Sequence, residues 1–228
     1  MISIKDLTIS YDGKSNVIDL LNLSLVRNNI HGIVGLNGAG KTTLLNSIYG
    51  LTKKNSGEVS CNGRNINKKD ISYLMTENFF YSNITAREYL SLFKNPQFNI
   101  DKWNELFSLP LDNIIDSYST GMKKKLALLA VLKQDKSIMI LDEPFNGLDI
   151  ETCRIIRSIL LRLKDRGKTI IITSHIIETL TNLCDFIHYI ENGKIKYSKN
   201  KLDFAEFERE LFETIENKNV KLITELIK

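Results

Sequence analysis

The chain has 228 residues, 43% hydrophobic and 25% charged, enough for one large domain or a domain with an inserted subdomain and a soluble surface. No run approaches the roughly 18 to 20 consecutive apolar residues that a membrane span needs. The opening MISIKDLTIS lacks the charged and apolar blocks of a signal peptide, so the expected compartment is the cytosol. The net charge of +4 comes from scattered lysines mixed with acids, which reads as solvated surface and predicts no nucleic-acid partner. Three cysteines without CxxC spacing read as inert thiols.

In chain order, strand-like runs occur at ISIKDLTISY, GIVGL, GEVSCNG, ISYLM, SIMILDE, KTIIITSH and DFIHYIEN. The first alternates, whereas SIMIL and TIIIT are continuous apolar runs, as expected of strands buried on both faces. Helical patterns run from Lys41 to Tyr49, Glu151 to Lys164 and Ile176 to Asn182. Strands alternating with helices predict an α/β class with a doubly wound, mainly parallel sheet. Residues 83–133 change to mostly helical periodicity and are expected to form a helical insertion in a single domain whose core is 1–82 and 134–200. The tail, 201–228, carries Phe204, Phe207, Leu211 and Ile215 at helical spacing and reads as a helix packed on the core, with a regulatory or partner-binding helix as the alternative.

GLNGAGKTT, Gly35 to Thr43, matches G-x-x-x-x-G-K-[ST] between a buried strand and a helix. Its glycines let the backbone curl around phosphate oxygens, and the helix start adds free N–H donors and a positive dipole. Gly35, Asn37, Gly38, Ala39, Gly40, Lys41, Thr42 and Thr43 are therefore the expected nucleotide-binding residues. Lys41 supplies charge to the β- and γ-phosphates, and Thr42 offers a hydroxyl to Mg²⁺. SIMILDEP ends a buried strand in two carboxylates. Asp142 is placed to hold Mg²⁺ through water, and Glu143 to polarise an attacking water. His175 ends another buried strand, where the ligand crevice of a parallel sheet lies, and could donate to the γ-phosphate. His31 and His188 have no such context.

DSYSTGMKKKLALL, residues 116–129, opens a further helix with Ser119 and Gly121. In isolation Ser119 is an N-cap. The ordered set GLNGAGKTT, YSTGM, ILDEPFNGLD and TSH, over about residues 2–200, resembles the nucleotide-binding subunit of an ATP-binding-cassette (ABC) transporter. The resemblance implies an N-terminal antiparallel β part, two cassettes dimerised around two ATP–Mg²⁺, as homodimer or heterodimer, and a separately encoded integral-membrane permease holding the subunit on the inner face of the cell membrane. It puts YSTGM at the family signature LSGGQ, with Tyr118, Thr120 and Met122 as departures. Ser119 and Gly121 would then bind the γ-phosphate of ATP held by the opposite subunit. Tyr11 falls where an aromatic stacks on adenine, with a simple turn aromatic as the alternative, and Asp149 where an aspartate communicates across the dimer.

One motif departs. After ISYL the family has proline and glutamine, but this chain reads ISYLMTENFF, which puts Thr76 at the glutamine position and Glu77 beside it. The metal contact could pass to Glu77, to the threonine hydroxyl or to water. YSTGMKKKL in a short single cassette is similar to the branch that exports drugs, antibiotics or bacteriocins. The alternative is a soluble ABC ATPase acting on a macromolecular complex. A P-loop kinase or GTPase lacks support, because no N-K-x-D motif is present and YSTGM would be unexplained.

Overall fold

The computed structural model describes residues 1–207, 209, 220 and 224–227. In it, β1 (Ile2–Ile9), β2 (Ile18–Leu25), β4 (Ser56–Cys61) and β5 (Arg64–Asn65) form an antiparallel sheet in the order β2-β1-β4-β5. A second sheet runs β10-β9-β3-β8-β7-β6, built from β3 (Ile30–Val34), β6 (Ile71–Leu74), β7 (Ile138–Leu141), β8 (Thr169–Ser174), β9 (Phe186–Glu191) and β10 (Lys194–Asn200). Its strands are parallel except for the antiparallel edge β10.

β7 and β8 are buried along their whole lengths, as their unbroken apolar runs require. Their side chains divide by the period of two that a strand imposes. Ile138, Ile140 and Ile171 face the antiparallel sheet, where they meet Ile2, Ile4 and Leu25 together with Leu44, Leu45 and Ile48 of α1 (Lys41–Tyr49). Met139, Leu141, Ile170 and Ile172 face the other way, into a core shared with α4 (Thr120–Lys133), α5 (Ile150–Asp165) and α6 (Ile177–Thr181). α5 buries Thr152, Ile156 and Leu160, a stripe four residues apart.

β2, β5 and β10 were not among the expected strands. Alternation in β2 is broken at the Leu20–Leu21 doublet, where Leu20 has φ 46°, lies 60% exposed and shifts the register against β1. β10 is an edge strand rich in lysine, which hides its strand character and blunts the edge against further pairing. Between 83 and 133 lie α2 (Ala86–Ser91), α3 (Ile100–Asn104) and α4, with α2 fixed by a Thr85–Glu88 capping box. α4 touches both α2 and β6, so it ties this helical segment to the parallel sheet. Phe204 and Phe207 are buried, Phe207 against Tyr189 and Tyr197. Leu211 and Ile215, named with them above, lie outside the described residues.

His31 on β3 and His188 on β9 are buried side by side. His31 Nδ1 lies 3.1 Å from His188 Nε2, His31 Nε2 2.7 Å from Val26 O, and His188 Nδ1 2.8 Å from Ser198 Oγ. Val26 O can only accept, so neutral rings have one consistent arrangement. Ser198 donates to His188, His188 to His31, and His31 to the carbonyl. Burial lowers the pKa of both rings; for His188, burial and then the neighbouring His31 bring it down to about 3.

Candidate functional site

The phosphate loop connects β3 to α1. Gly38 (φ 79°) and Gly40 (φ 104°) take left-handed conformations that side chains rarely adopt, and Gly40 caps α1 so that the helix N–H groups open into a cleft. A Cβ on Gly35 would strike the Ile190 carbonyl, so the loop can pass β9 only with glycine there. Ala39 is buried, with its carbonyl bonded to Gly193 N at 3.1 Å. These two residues shape the loop from behind. Asn37, Gly38, Gly40, Lys41, Thr42 and Thr43 line the cleft itself, whose volume is about 400 Å³.

Lys41 Nζ donates to Gly35 O at 2.7 Å and Leu36 O at 3.2 Å. Burial pushes its pKa down, while Glu143 and Asp142 oppose the shift. An ammonium held among carbonyls at the floor of an anion-sized cleft is a ready counter-charge for phosphate.

The opposite wall comes from the carboxyl ends of β7, β8 and β6. Asp142 is fully buried, and its backbone N–H extends the ladder to Leu74 O at 2.9 Å. Thr42 Oγ1 donates to Asp142 Oδ2 at 2.7 Å, Thr76 Oγ1 to the same oxygen at 2.8 Å, and Thr173 Oγ1 to Oδ1 at 2.5 Å. These are hard oxygen groups of the type Mg²⁺ selects. Among the described residues no cluster of three or more His, Cys, Asp or Glu could hold a metal unaided. The donor set therefore fits a Mg²⁺ that arrives with phosphate oxygens of its own.

Glu143 has φ 50°, an uncommon conformation for a glutamate. Three contacts hold it there. Its N–H donates to Thr173 Oγ1 at 2.9 Å, its carbonyl accepts from Lys124 Nζ at 2.5 Å, and its Oε2 lies 3.0 Å from His175 Nδ1. A main chain fixed on both sides and a side chain oriented by an imidazole give a carboxylate of set direction at the cleft, which suits a proton acceptor. His175 lines the same cleft with its side chain 47% exposed.

Five of the expected residues lie apart from these walls. Tyr11 is 65% exposed, and its hydroxyl lies 3.2 Å from Thr43 Oγ1, beside the loop. Ser119 caps α4 by accepting from Met122 N at 3.3 Å, and Gly121 follows it; neither lines this cleft. A Cβ on Gly121 would come within 3.4 Å of Gly147 O, so the head of α4 lies against the loop that follows Glu143. Asp149 caps α5 through Thr152 N at 2.7 Å and pairs with Lys125 at 3.4 Å. Its pKa falls to about 2, mainly through the Thr152 backbone bond. Glu77 is exposed and does not line the cleft.

Thr173, Lys124, Val17 and Asn146 were not foreseen. A hydroxyl at the carboxyl end of the three-isoleucine run, on the strand paired with the one that leads to Asp142, was the available signal for Thr173. Lys124 was hidden in a run of three lysines. It is buried, and burial lowers its pKa.

A phosphate loop at the carboxyl edge of a parallel sheet, faced by a buried aspartate and an oriented glutamate, defines a P-loop ATPase with an added antiparallel sheet and a helical segment. The chain belongs to the ABC transporter family, whose model matches residues 18–146. It is 32% identical over 225 residues to the lantibiotic transport ATP-binding protein SrtF of Streptococcus pyogenes, covering 93% of this chain and 96% of that one. It is 34% identical over 209 residues to the bacitracin transport ATP-binding protein BcrA of Bacillus licheniformis, covering 86% of this chain and 68% of the relative. A solved ATP-binding subunit of an ABC transporter superposes with a TM-score of 0.83 at 26% identity, covering 92% of this chain and 93% of the other. The protein is accordingly an ATP-binding, ATP-hydrolysing subunit. Among the described residues, no helix is long and apolar enough to cross a membrane.

Proposed function

We propose that two copies of this chain, or this chain and a homologous partner, close around two ATP–Mg²⁺ and drive a separately encoded permease that exports an antibiotic or peptide. The site works as two halves. Lys41, the loop N–H groups and the head of α1 bind the phosphates, and Thr42 and Asp142 would hold Mg²⁺. That ion, bound with the nucleotide, neutralises phosphate charge and draws electron density from the γ-phosphoryl group. Glu143, oriented by His175, accepts a proton from water as the water oxygen bonds to the γ-phosphorus and the bond to the β-phosphate oxygen breaks. The neutral ring of His175 carries one N–H, which it gives either to Glu143 or to the γ-phosphate, and Tyr11 covers the adenine. The substrate class follows the lantibiotic and bacitracin relatives, and attachment to the permease sets the location at the cytoplasmic face of the membrane. Residues 1–228 act as one domain, with about 83–133 as its helical insertion.

The observation that carries the dimer is the placement of Ser119. A serine-capped helix start with free N–H groups is an anion site, yet it lies outside its own chain's cleft. Ser119 and Gly121 complete the cleft of the other copy. Mixing two inactive variants tests this. Ser119→Arg lacks the clamp and Lys41→Ala lacks the loop charge, so their heterodimer should regain one composite site and measurable ATPase. No recovery across a range of mixing ratios would refute the shared site.

A further inference from the structure

Asp142 is shut off from solvent, yet a carboxylate can still turn about its last torsion, because that rotation is broad and soft. Its direction is set here by three hydroxyls from three separate elements. Thr42 comes from the first turn of α1, Thr173 from inside β8, and Thr76 from the loop that leaves β6. Helix and strand fix the first two. Thr76 stands on an exposed loop, at the position where the sequence departs from its family. We infer that Thr76 is a positioning residue of the metal–nucleotide site: its hydroxyl, 2.8 Å from Asp142 Oδ2, locks the carboxylate in the direction that receives Mg²⁺. This role rests on the reading of the cleft as an ATP–Mg²⁺ site and deepens it.

The chemistry suits a hydroxyl. Thr76 gives its one hydrogen to Asp142 and keeps acceptor lone pairs toward the cleft, so it orients a charged group without adding a second charge. A carboxylate in its place would face Asp142 across hydrogen-bond distance and repel it. Glu77, one residue on, lies outside the cleft walls and cannot take over the contact from its present place. Thr76 and Thr42 share the same oxygen, so loss of Thr76 leaves Oδ2 with one donor and frees the carboxylate to tilt toward Thr173. A charge-assisted hydrogen bond on an otherwise anchored group sets the expected effect at about tenfold in metal affinity.

Thr76→Val keeps the shape and removes the hydroxyl, whereas Thr76→Ser keeps the hydroxyl and removes the methyl. The readout is the Mg²⁺ concentration that half-saturates binding of a fluorescent, non-hydrolysable ATP analogue, with analogue binding in EDTA as the metal-free reference. The valine variant should need about tenfold more Mg²⁺ and the serine variant less than about twofold more, with EDTA affinities unchanged in both. Equal Mg²⁺ midpoints for wild type and Thr76→Val overturn the inference. So does a serine variant as weak as the valine one, because the effect would then belong to packing. Failure of the wild type to bind the analogue at all would instead overturn the reading of the cleft, and Thr76 would lose its role with it.

Discussion

Lowering the pH from 7.5 to 5.5 should cost the nucleotide-free protein stability through the buried pair His31–His188, neither of which lines the cleft. Both rings are neutral in the chain of bonds from Ser198 to Val26, and burial holds their folded pKa values below the ordinary 6.5, that of His188 at about 3. The sign follows from linkage. Below 6.5 the unfolded chain binds protons that the folded chain refuses, so stability is complete above 6.5 and is lost as pH falls toward 3. For His188 alone the loss between pH 7.5 and 5.5 is about 1.4 kcal/mol, since one pKa unit is worth about 1.36 kcal/mol and the folded ring stays neutral throughout. His31 adds to it in the same direction. The measurement is urea unfolding of wild type and His188→Gln at both pH values. Glutamine can still donate to His31 but cannot titrate, so its pH difference should be smaller by about 1.4 kcal/mol even though its stability at pH 7.5 is lower. Equal pH differences in the two proteins would show that His188 is not held neutral, and the bond directions assigned here would be wrong.

Other expectations concern the cleft. Lys41→Ala should lower ATP hydrolysis by roughly 10²-fold or more, because the ammonium held among the Gly35 and Leu36 carbonyls is the loop's only side-chain charge; turnover near wild type would contradict its role. Glu143→Gln should bind ATP but hydrolyse it about 10²- to 10⁴-fold more slowly, since an amide cannot accept the proton. With ATP and Mg²⁺ it should run as a dimer in gel filtration, and a monomer at saturating ATP would refute the sandwich for a homodimer. Glu77→Ala should leave basal ATPase and Mg²⁺ dependence within about twofold while weakening stimulation by the permease, as its exposed place beside Phe79 and Tyr81 suits a contact outside the cleft. A tenfold rise in the Mg²⁺ requirement would make it a metal ligand instead.

The interior of this fold was written plainly in its sequence. TIIIT and SIMIL, short and rich in isoleucine, read as strands covered on both faces, and the two clusters that take up their alternate side chains bear this out. The helix Lys41–Tyr49 was bounded by Gly40 and Gly50, both left-handed, so its ends could be read from residue type alone. Periodicity fails where the chain bends or meets solvent. The bulge at Leu20 throws β2 out of alternation, and the lysines of β10 answer to the edge rather than to a core. His31 and His188 were opaque for another reason. They are 157 positions apart, and only the parallel pairing of β3 with β9 makes them neighbours.

The same distinction separates the two parts of the candidate site. The loop Gly35–Thr43 is contiguous, so its spacing carries its meaning. Asp142 is legible as the end of an apolar strand, but the company it keeps is not: Thr42, Thr76 and Thr173 reach it across 100, 66 and 31 positions. Thr42 is marked by the loop motif and Thr76 by its place after ISYL, but nothing local says that either of them, or Thr173, bonds to Asp142. Glu143 shows the limit most clearly, because a glutamate after an aspartate is an ordinary strand end by composition. Its left-handed backbone, tied to Thr173, Lys124 and His175, is what gives it a fixed direction. Lys124 belongs to the helix that Ser119 caps, so the helix whose head would grip a neighbour's ATP is bonded one turn later to the carbonyl of Glu143, the residue proposed to activate water in its own cleft. Movement of that helix on closing would be felt at Glu143 without any intervening element.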